Sequence, residues 1–451
     1  MIFIVLEGVT LFAAVVGTIF AWGHPLTITS RDVMTVLWQA AAISLCCIVA
    51  FYYNDLYDLR IVRSLSEFGS RLLQSFGVAL ILLAGFYTLF PDTQIAGGRI
   101  ASSLLMIVGV LLPLRAIGYT IMRWRAFADQ VLILGTGNLA RTLIEEIDAR
   151  PHYLYAIVGV VDEGHSQEGP PLPYPFLGPV ERLDKIIEEI APDRIIVALT
   201  ERRGRMPMPQ LLSAEAQGIL VEDGLKTYEQ FTGKLAIEAL TPSSLIFSGA
   251  FRKSRMPLAI HRLISLGVAA VGLVLLAPLM ALIALAIKLD SPGPVFFIDE
   301  RAGRGGHPFR LFKFRTMHEQ TFECEEDSVW SRDDSHRITR IGRWIRKLRL
   351  DELPQFWNIL RGDMDLVGPR PEILRNVKTM SEHIPYYPLR HVVRPGLTGW
   401  AQVRFGYSVS LEQVMEKMRY DLFYITHMSL WLDLRILADT VKIVLFGRGA
   451  Q

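Results

Sequence analysis

At 451 residues, with 51% apolar and only 20% charged, the chain exceeds a single domain and is too apolar for an ordinary soluble protein, so membrane segments are expected. A net charge of +2 says nothing about partners by itself, and no nucleic-acid partner is expected. Three cysteines, two of them adjacent in an apolar run (Cys46 and Cys47), exclude a disulfide framework and a Cys/His zinc site. The N-terminus lacks a basic segment and a small-residue cleavage site, so no cleaved signal peptide is expected.

Four apolar runs, 1–22, 34–53, 72–90 and 100–122, come first. Each is about long enough to cross ~30 Å of hydrocarbon. Arg60, Arg63 and Arg71 follow the second run, and Arg123 and Arg125 follow the fourth. The two other links carry one arginine each, Arg31 and Arg99. The positive-inside rule then puts the N-terminus, the 54–71 loop and everything after residue 123 in the cytoplasm. A four-helix bundle is predicted over 1–125. A fifth run, Leu263–Ile287, holds no charge, and Pro278 lies just past its middle. It reads either as a fifth span or as a helix broken at Pro278 that re-enters and leaves on the same side. A fifth span would carry all that follows outside.

The stretch "DQVLILGTGNLARTLIEEI" joins an apolar strand to Gly135-x-Gly137-x-x-Ala140 and a helical pattern. A second strand ends at Asp162, and a third covers 193–199. This is a Rossmann-like α/β pattern, with glycines for phosphate approach and an acid for a ribose. It predicts a domain over 126–250. Gly135 and Gly137 are only weak cofactor candidates, because such turns also occur without a dinucleotide. No Tyr-x-x-x-Lys pair occurs in the chain, so the usual reductase acid/base set is missing.

From Arg301 to Arg404 there are 19 Lys and Arg against 13 Asp and Glu, a local net charge of +6 (19 − 13). That surplus suits phosphate ligands or anionic headgroups. "IGRWIRKLRL" (341–350) places Ile341, Trp344, Ile345 and Leu348 on one helical face and Arg343, Arg346, Lys347 and Arg349 on the other. Such a helix suits a membrane interface as well as a protein core. It leads into Asp351-Glu352, just ahead of Pro354, a residue tolerated in the first turn of a new helix. Acids there can cap the helix, bind a metal or act as a nucleophile. A carboxylate can approach a diphosphate only if cations neutralise it; Arg346, Arg349, Arg361 and Arg370 are candidates, and Glu352 suits Mg²⁺. Lys313 and Arg315, two apart, share one face of an extended segment.

The fragments "SPGPVFF", "KFRTM", "LDELPQFWNILRGDMDLVGPRPE", "RPGLTGWAQV" and "YDLFYI" resemble those of bacterial sugar transferases, the monotopic phosphoglycosyl transferases, over about residues 255–446. The bundle and the Rossmann-like domain resemble the large subfamily that acts in exopolysaccharide and O-antigen assembly. The resemblance implies a catalytic domain over 251–451, mixed and mainly α, with a re-entrant membrane helix at 263–290 broken at Pro278. It implies that Asp351 attacks the sugar-bearing phosphate of a UDP-sugar, that UMP leaves, and that undecaprenyl phosphate then takes the sugar phosphate. Glu352 would bind Mg²⁺, and Lys313, Arg346 and Arg370 would contact phosphates, with Arg315 and Arg404 as further candidates. Membrane lipids and, by family architecture, a homodimer are implied partners. His261-Arg262, Ala277-Pro278, Asp299 and Arg404 depart from the usual family residues. The rivals are a membrane-tethered NAD-dependent enzyme that modifies nucleotide sugars, which would need the absent Tyr/Lys pair, and a non-enzymatic transporter or flippase, which would not need paired acids in a cationic domain.

Overall fold

Four helices cover the four N-terminal runs: α1 (Ile2–Ala21), α2 (Ser30–Tyr53), α3 (Leu65–Leu89) and α4 (Gly97–Arg123). The structure is a computed structural model that describes residues 2–21, 30–57, 65–91, 97–123, 128–149, 155–162, 172–199, 206–237, 251, 255–318, 337–405 and 410–446. Arg60, Arg63 and Arg125, and the side chains of Arg31, Arg99 and Arg123, lie outside the described residues. α1 packs on α2 and α4, and α2 on α3. Leu11, Val15, Ile43, Phe51, Phe68, Leu72, Ile107 and Leu111 form the bundle core. Leu73, Ile81, Leu89 and Leu105 point outward, fully apolar and exposed. A helix apolar on every side needs an apolar solvent, so this is a membrane protein. Among the described residues, Val33–Tyr53, Phe68–Leu89 and Met256–Asp290 are long and apolar enough to cross a bilayer, while Glu7–Thr18 and Ile100–Leu114 are shorter apolar stretches.

The α/β domain is a five-stranded sheet in the order β3-β2-β1-β4-β5. Its strands are β1 (Asp129–Leu134), β2 (Tyr155–Asp162), β3 (Phe176–Pro179), β4 (Arg194–Val197) and β5 (Leu220–Asp223). β1 runs parallel to β2 and β4, and β2 parallel to β3. α5 (Asn138–Asp148), α6 (Leu183–Ile190) and α7 (Met208–Ala216) supply the connections. Val131–Leu134 are wholly buried, as expected for a central parallel strand covered on both faces. β1, β2 and β4 answer the three expected strands.

The chain divides into two compact units, Met1–Glu222 and Asp223–Gln451. This division precedes the border expected at residue 250. The reason is that the segment after β5 packs into the C-terminal unit. There α8 (Gly224–Thr232) ends at Gly233, whose carbonyl accepts a hydrogen bond from Trp400 Nε1 at 2.8 Å. Leu235 N donates to Arg419 O at 3.0 Å, and Leu235 and Ile237 join the C-terminal core.

That unit continues with a 36-residue helix, α9 (Arg255–Asp290), and an antiparallel hairpin of β6 (Phe296–Ala302) and β7 (Pro308–Phe314). Then follow α10 (Arg340–Lys347), α11 (Gln355–Arg361), β8 (Asp365–Val367), α12 (Leu374–His383), β9 (Gly396–Thr398), α13 (Trp400–Arg404), α14 (Leu411–His427) and α15 (Leu430–Phe446). Its core gathers Ile359, Met364, Leu366, Tyr387, Trp400, Leu422 and Tyr424. β8 and β9 pair in parallel, and the two chains approach so closely that a Cβ on Gly396 would stand 2.1 Å from Gly368 N.

α9 is one helix that continues through Pro278, where the resemblance implies a break. Proline deletes one backbone donor, whereas ending a helix inside an apolar run would orphan several donors and acceptors at once. Both ends of α9 bind the same unit. Near the start, Arg262 donates to Met364 O and Asp365 Oδ1 at 2.7 Å and to Ile359 O at 2.6 Å, and Ser265 Oγ accepts from Leu366 N at 3.1 Å. Near the end, Ile283 and Ile287 pack on Phe314 and Ile345, and Asp290 Oδ2 accepts from Ile341 N at 3.0 Å. Leu263, Val271, Val274, Leu275, Leu282, Leu285 and Leu289 face outward and exposed.

Candidate active site

The paired acids sit where three elements meet. α10 begins at Thr339, whose hydroxyl accepts from Gly342 N at 2.9 Å. The chain turns at Arg349, in the left-handed region at φ 56°, into a single 3-10 turn, Leu350–Glu352. A non-glycine residue there is strained and persists only where its surroundings hold it. Pro354 is the N-cap of α11, so the pair does stand just before a helix start. On α11 the buried Asn358 accepts from Phe312 N at 3.0 Å and donates to Arg310 O at 2.6 Å. This side chain completes the edge of β7 and fixes Lys313, the next residue, against the pair.

The two carboxylates have different surroundings. Glu352 is buried and meets Arg370 Nη2 at 2.8 Å, Lys313 Nζ at 3.5 Å and Arg349 Nη1 at 3.8 Å, all on Oε1. Burial would raise its pKa, but Arg370, Lys313 and Arg349 together pull it down to about 2. Asp351 is half-buried and makes no ion pair among the described residues. Burial and the neighbouring Glu352 raise its pKa, and Lys313 and Arg349 only partly oppose them. Lys313 is lowered by its own burial and by Arg370. A carboxylate bound on one oxygen by three cations is a poor attacker. An unpaired carboxylate of raised basicity beside them is a good one, with cations in place to receive an anionic substrate.

Of the other expected residues, Arg370 and Lys313 are brought to the pair. Arg346 lies one turn before it on α10, exposed and without an ion-pair partner among the described residues. Arg361 is nearly half-exposed and lies 3.6 Å from Asp363. Arg315 is engaged elsewhere. β7 ends at Phe314, and the buried Arg315 donates to Pro292 O, Ser291 O and Ser291 Oγ at 2.6, 2.8 and 2.9 Å. It satisfies carbonyls just past the end of α9, a helix terminus that favours a cation. Arg404 stacks on the Trp400 ring, 4.4 Å from its centroid. Asp299 is paired with Arg301 at 2.7 Å.

A buried charge network behind Arg370 was not anticipated. Arg390 donates to Arg370 O at 3.1 Å, to Tyr387 Oη at 2.8 Å and to Asp421 Oδ2 at 2.8 Å, and lies 3.5 Å from Glu372. Glu372 also meets Lys417 at 2.5 Å. Burial opposes ionisation of Glu372, but Lys417 and Arg390 hold its pKa well below the usual range. The sequence offered one signal, the acid inside "YDLFYI", but not its partner.

The oxygen donors suit a hard divalent ion. Among the described residues no cluster of three or more His, Cys, Asp or Glu side chains could hold a metal unaided. Mg²⁺ rarely needs one: it keeps several waters and shares one or two carboxylates with substrate phosphates. Among the described residues every ion pair of Glu352 is on Oε1, which leaves Oε2 to ligate a cation.

In the α/β domain Gly135 has φ +119°, and its N donates to Val161 O at 2.7 Å. A Cβ there would stand 2.8 Å from Ala198 O, so this glycine is required by strand packing. Gly137 is the N-cap of α5. Thr136 Oγ1 donates to Asp162 Oδ2, which engages the acid expected to face a ribose.

The bacterial sugar transferase family matches residues 256–447, and a family described as a CoA-binding domain matches residues 52–206. An N-acetylgalactosaminephosphotransferase of Aeromonas hydrophila, named as acting from UDP-N-acetylgalactosamine on undecaprenyl phosphate, is 42% identical over 49% of this chain and 52% of its own. An undecaprenyl-phosphate glucose phosphotransferase of Komagataeibacter xylinus is 34% identical over 77% of this chain and 65% of its own. A UDP-glucose:undecaprenyl-phosphate glucose-1-phosphate transferase of Caulobacter vibrioides is 45% identical over 41% of this chain and 69% of its own. The chain thus spans about half and about two thirds of the length of the first two relatives. The matched segment carries the acid pair, its cations and both ends of α9, and the chain belongs to the bacterial sugar transferase family.

Proposed function

We propose that this protein transfers a sugar 1-phosphate from a UDP-sugar to undecaprenyl phosphate, in two displacements through Asp351. The observation that carries this reading is the unequal pair: Glu352 bound by three cations, and Asp351 unpaired beside them with raised basicity. An Asp351 carboxylate oxygen attacks the sugar-bearing phosphorus, the bond to the bridging diphosphate oxygen breaks, and UMP leaves with that oxygen. A phosphate oxygen of undecaprenyl phosphate then attacks the same phosphorus. The bond to Asp351 breaks, and the carboxylate is restored. Lys313, Arg370 and Arg349 hold the phosphates and offset the charge that builds on them. Arg346 reaches the same substrate from α10. A magnesium ion, when bound, would neutralise the diphosphate, with Glu352 as its protein ligand. This would be a first membrane step of exopolysaccharide or O-antigen-type assembly.

The membrane placement is part of the proposal. A helix of 36 residues is roughly 54 Å long at ~1.5 Å per residue, far more than ~30 Å of hydrocarbon needs. If α9 crossed the bilayer, the polar groups that Arg262 and Asp290 bind, all in one folded unit, would stand on opposite sides. Both ends on the cytoplasmic side fits those contacts better. The α/β domain would then serve as scaffold, and a homodimer remains compatible.

The test is UMP release from purified full-length protein given a panel of UDP-sugars and undecaprenyl phosphate in detergent. Turnover with at least one sugar, lost in Asp351→Asn, is expected. Full turnover in Asp351→Asn would overturn the assignment.

A further inference from the structure

A cavity of about 120 Å³ opens at the start of α9, at the opposite end of the β6–β7 hairpin from Lys313. Its polar lining is His261, Arg304, Asp365 and Arg394; its apolar lining includes Leu258, Val392 and Met428. The volume is several times what one water needs. Asp365 is already bound by Arg262 at 2.7 Å, and His261 Nδ1 and Arg394 Nη1 each lie 3.8 Å away. Asp433 accepts from Tyr424 Oη at 2.8 Å and lies 3.3 Å from His261 Nε2. Arg394 Nε is committed to Gly362 O at 3.0 Å. Arg304, at the hairpin tip, is exposed and has no ion-pair partner among the described residues. Among the lining charges, two arginines (Arg304, Arg394) therefore face one carboxylate (Asp365), a surplus of one positive charge.

We propose that this cavity binds the phosphate of an anionic membrane-lipid headgroup, with Arg304 as the main contact and Arg394 behind it. Two features favour a lipid over a free anion. The lining is part apolar, which suits the glycerol and acyl stem next to a phosphate. Beside the cavity, Met256, Ile260 and Leu263 expose their side chains on the outer face of α9, which faces hydrocarbon in a membrane protein. A cation surplus at such a boundary attracts anionic lipid. The site is distinct from Asp351 and Glu352, and it rests on the membrane placement of α9, not on the transferase chemistry.

The test uses full-length protein in phosphatidylcholine nanodiscs with a rising fraction of phosphatidylglycerol, with bound lipid counted by native mass spectrometry. One phosphatidylglycerol should be retained above background. Its affinity should fall about fivefold or more in Arg304→Gln and recover in Arg304→Lys. Arg304 is exposed and unpaired, so the variants should fold, and UMP release measured in phosphatidylcholine alone should be unchanged. Equal retention by wild type and Arg304→Gln overturns the site. Displacement of the lipid by an equal concentration of inorganic phosphate overturns the lipid as its ligand and leaves a free-phosphate site. Absence of UMP release from the wild type, with lipid retention intact, would count against the transferase reading alone.

Discussion

Adjacent acids of similar intrinsic pKa have been separated by what surrounds them. The folded-state pKa of Glu352 is depressed, so its ionisation stabilises the fold above the ordinary glutamate range, and that contribution is lost as pH falls towards about 2. The pKa of Asp351 is raised, so its ionisation costs stability, increasingly as pH rises through that pKa. The two substitutions should therefore part company. Glu352→Gln leaves Arg370, Lys313 and Arg349 uncompensated and should lower the melting temperature, with activity down about a hundredfold or more. Asp351→Asn should abolish turnover, about a thousandfold or more, while leaving the melting temperature equal or higher. Matched thermal scans and UMP assays check both. The acid limb of the kcat/KM profile should lie above the ordinary aspartate pKa, because attack requires the ionised carboxylate. The identity of the pair was legible in the sequence, as was Lys313. The division of labour came from resemblance alone, because no spacing rule says which of two neighbours Arg370 will touch. Lys313 and Arg315 do not share their contacts, because alternation along a strand holds only while the strand lasts, and β7 stops at Phe314.

Single elements place these residues, and the buried network behind Arg370 holds its backbone from below. Asp421→Asn leaves Arg390, which is 3% exposed, short of a counter-charge and should cost about 3 kcal/mol. If the network also positions Arg370, a variant kept folded at low temperature should show a raised KM for the UDP-sugar. An unchanged KM would reduce the network to fold stability. Periodicity revealed α10, whose Ile341 and Ile345 pack inward while Trp344 and Leu348 stay exposed. It did not reveal β3 and β5, each four residues long and too short to show alternation. Nor did it show α9 passing Pro278 intact, because a missing donor marks a weak point and does not say whether the helix yields there.

At the scale of the molecule, the C-terminal unit takes in α8 and the strand of chain to Ile237, a border set by Trp400 and Arg419 more than 160 residues away and so invisible to local composition. Replacing Leu235 by Asp should therefore destabilise the sugar transferase unit, although it precedes the family match, and limited proteolysis of the full chain would show it. Cysteines placed on either side of 263–287 should both react from the cytoplasmic face; labelling from opposite faces would make α9 a true span. The central claim, that Asp351 becomes covalently bonded to the sugar phosphate, is open to one measurement. Full-length protein is given a UDP-sugar that it turns over, without undecaprenyl phosphate, and the Asp351 peptide is weighed by mass spectrometry. The account predicts about one equivalent of UMP and a sugar-phosphate adduct on Asp351, released by undecaprenyl phosphate and absent from Asp351→Asn. An active preparation that shows no adduct, or an adduct that survives in Asp351→Asn, would contradict it.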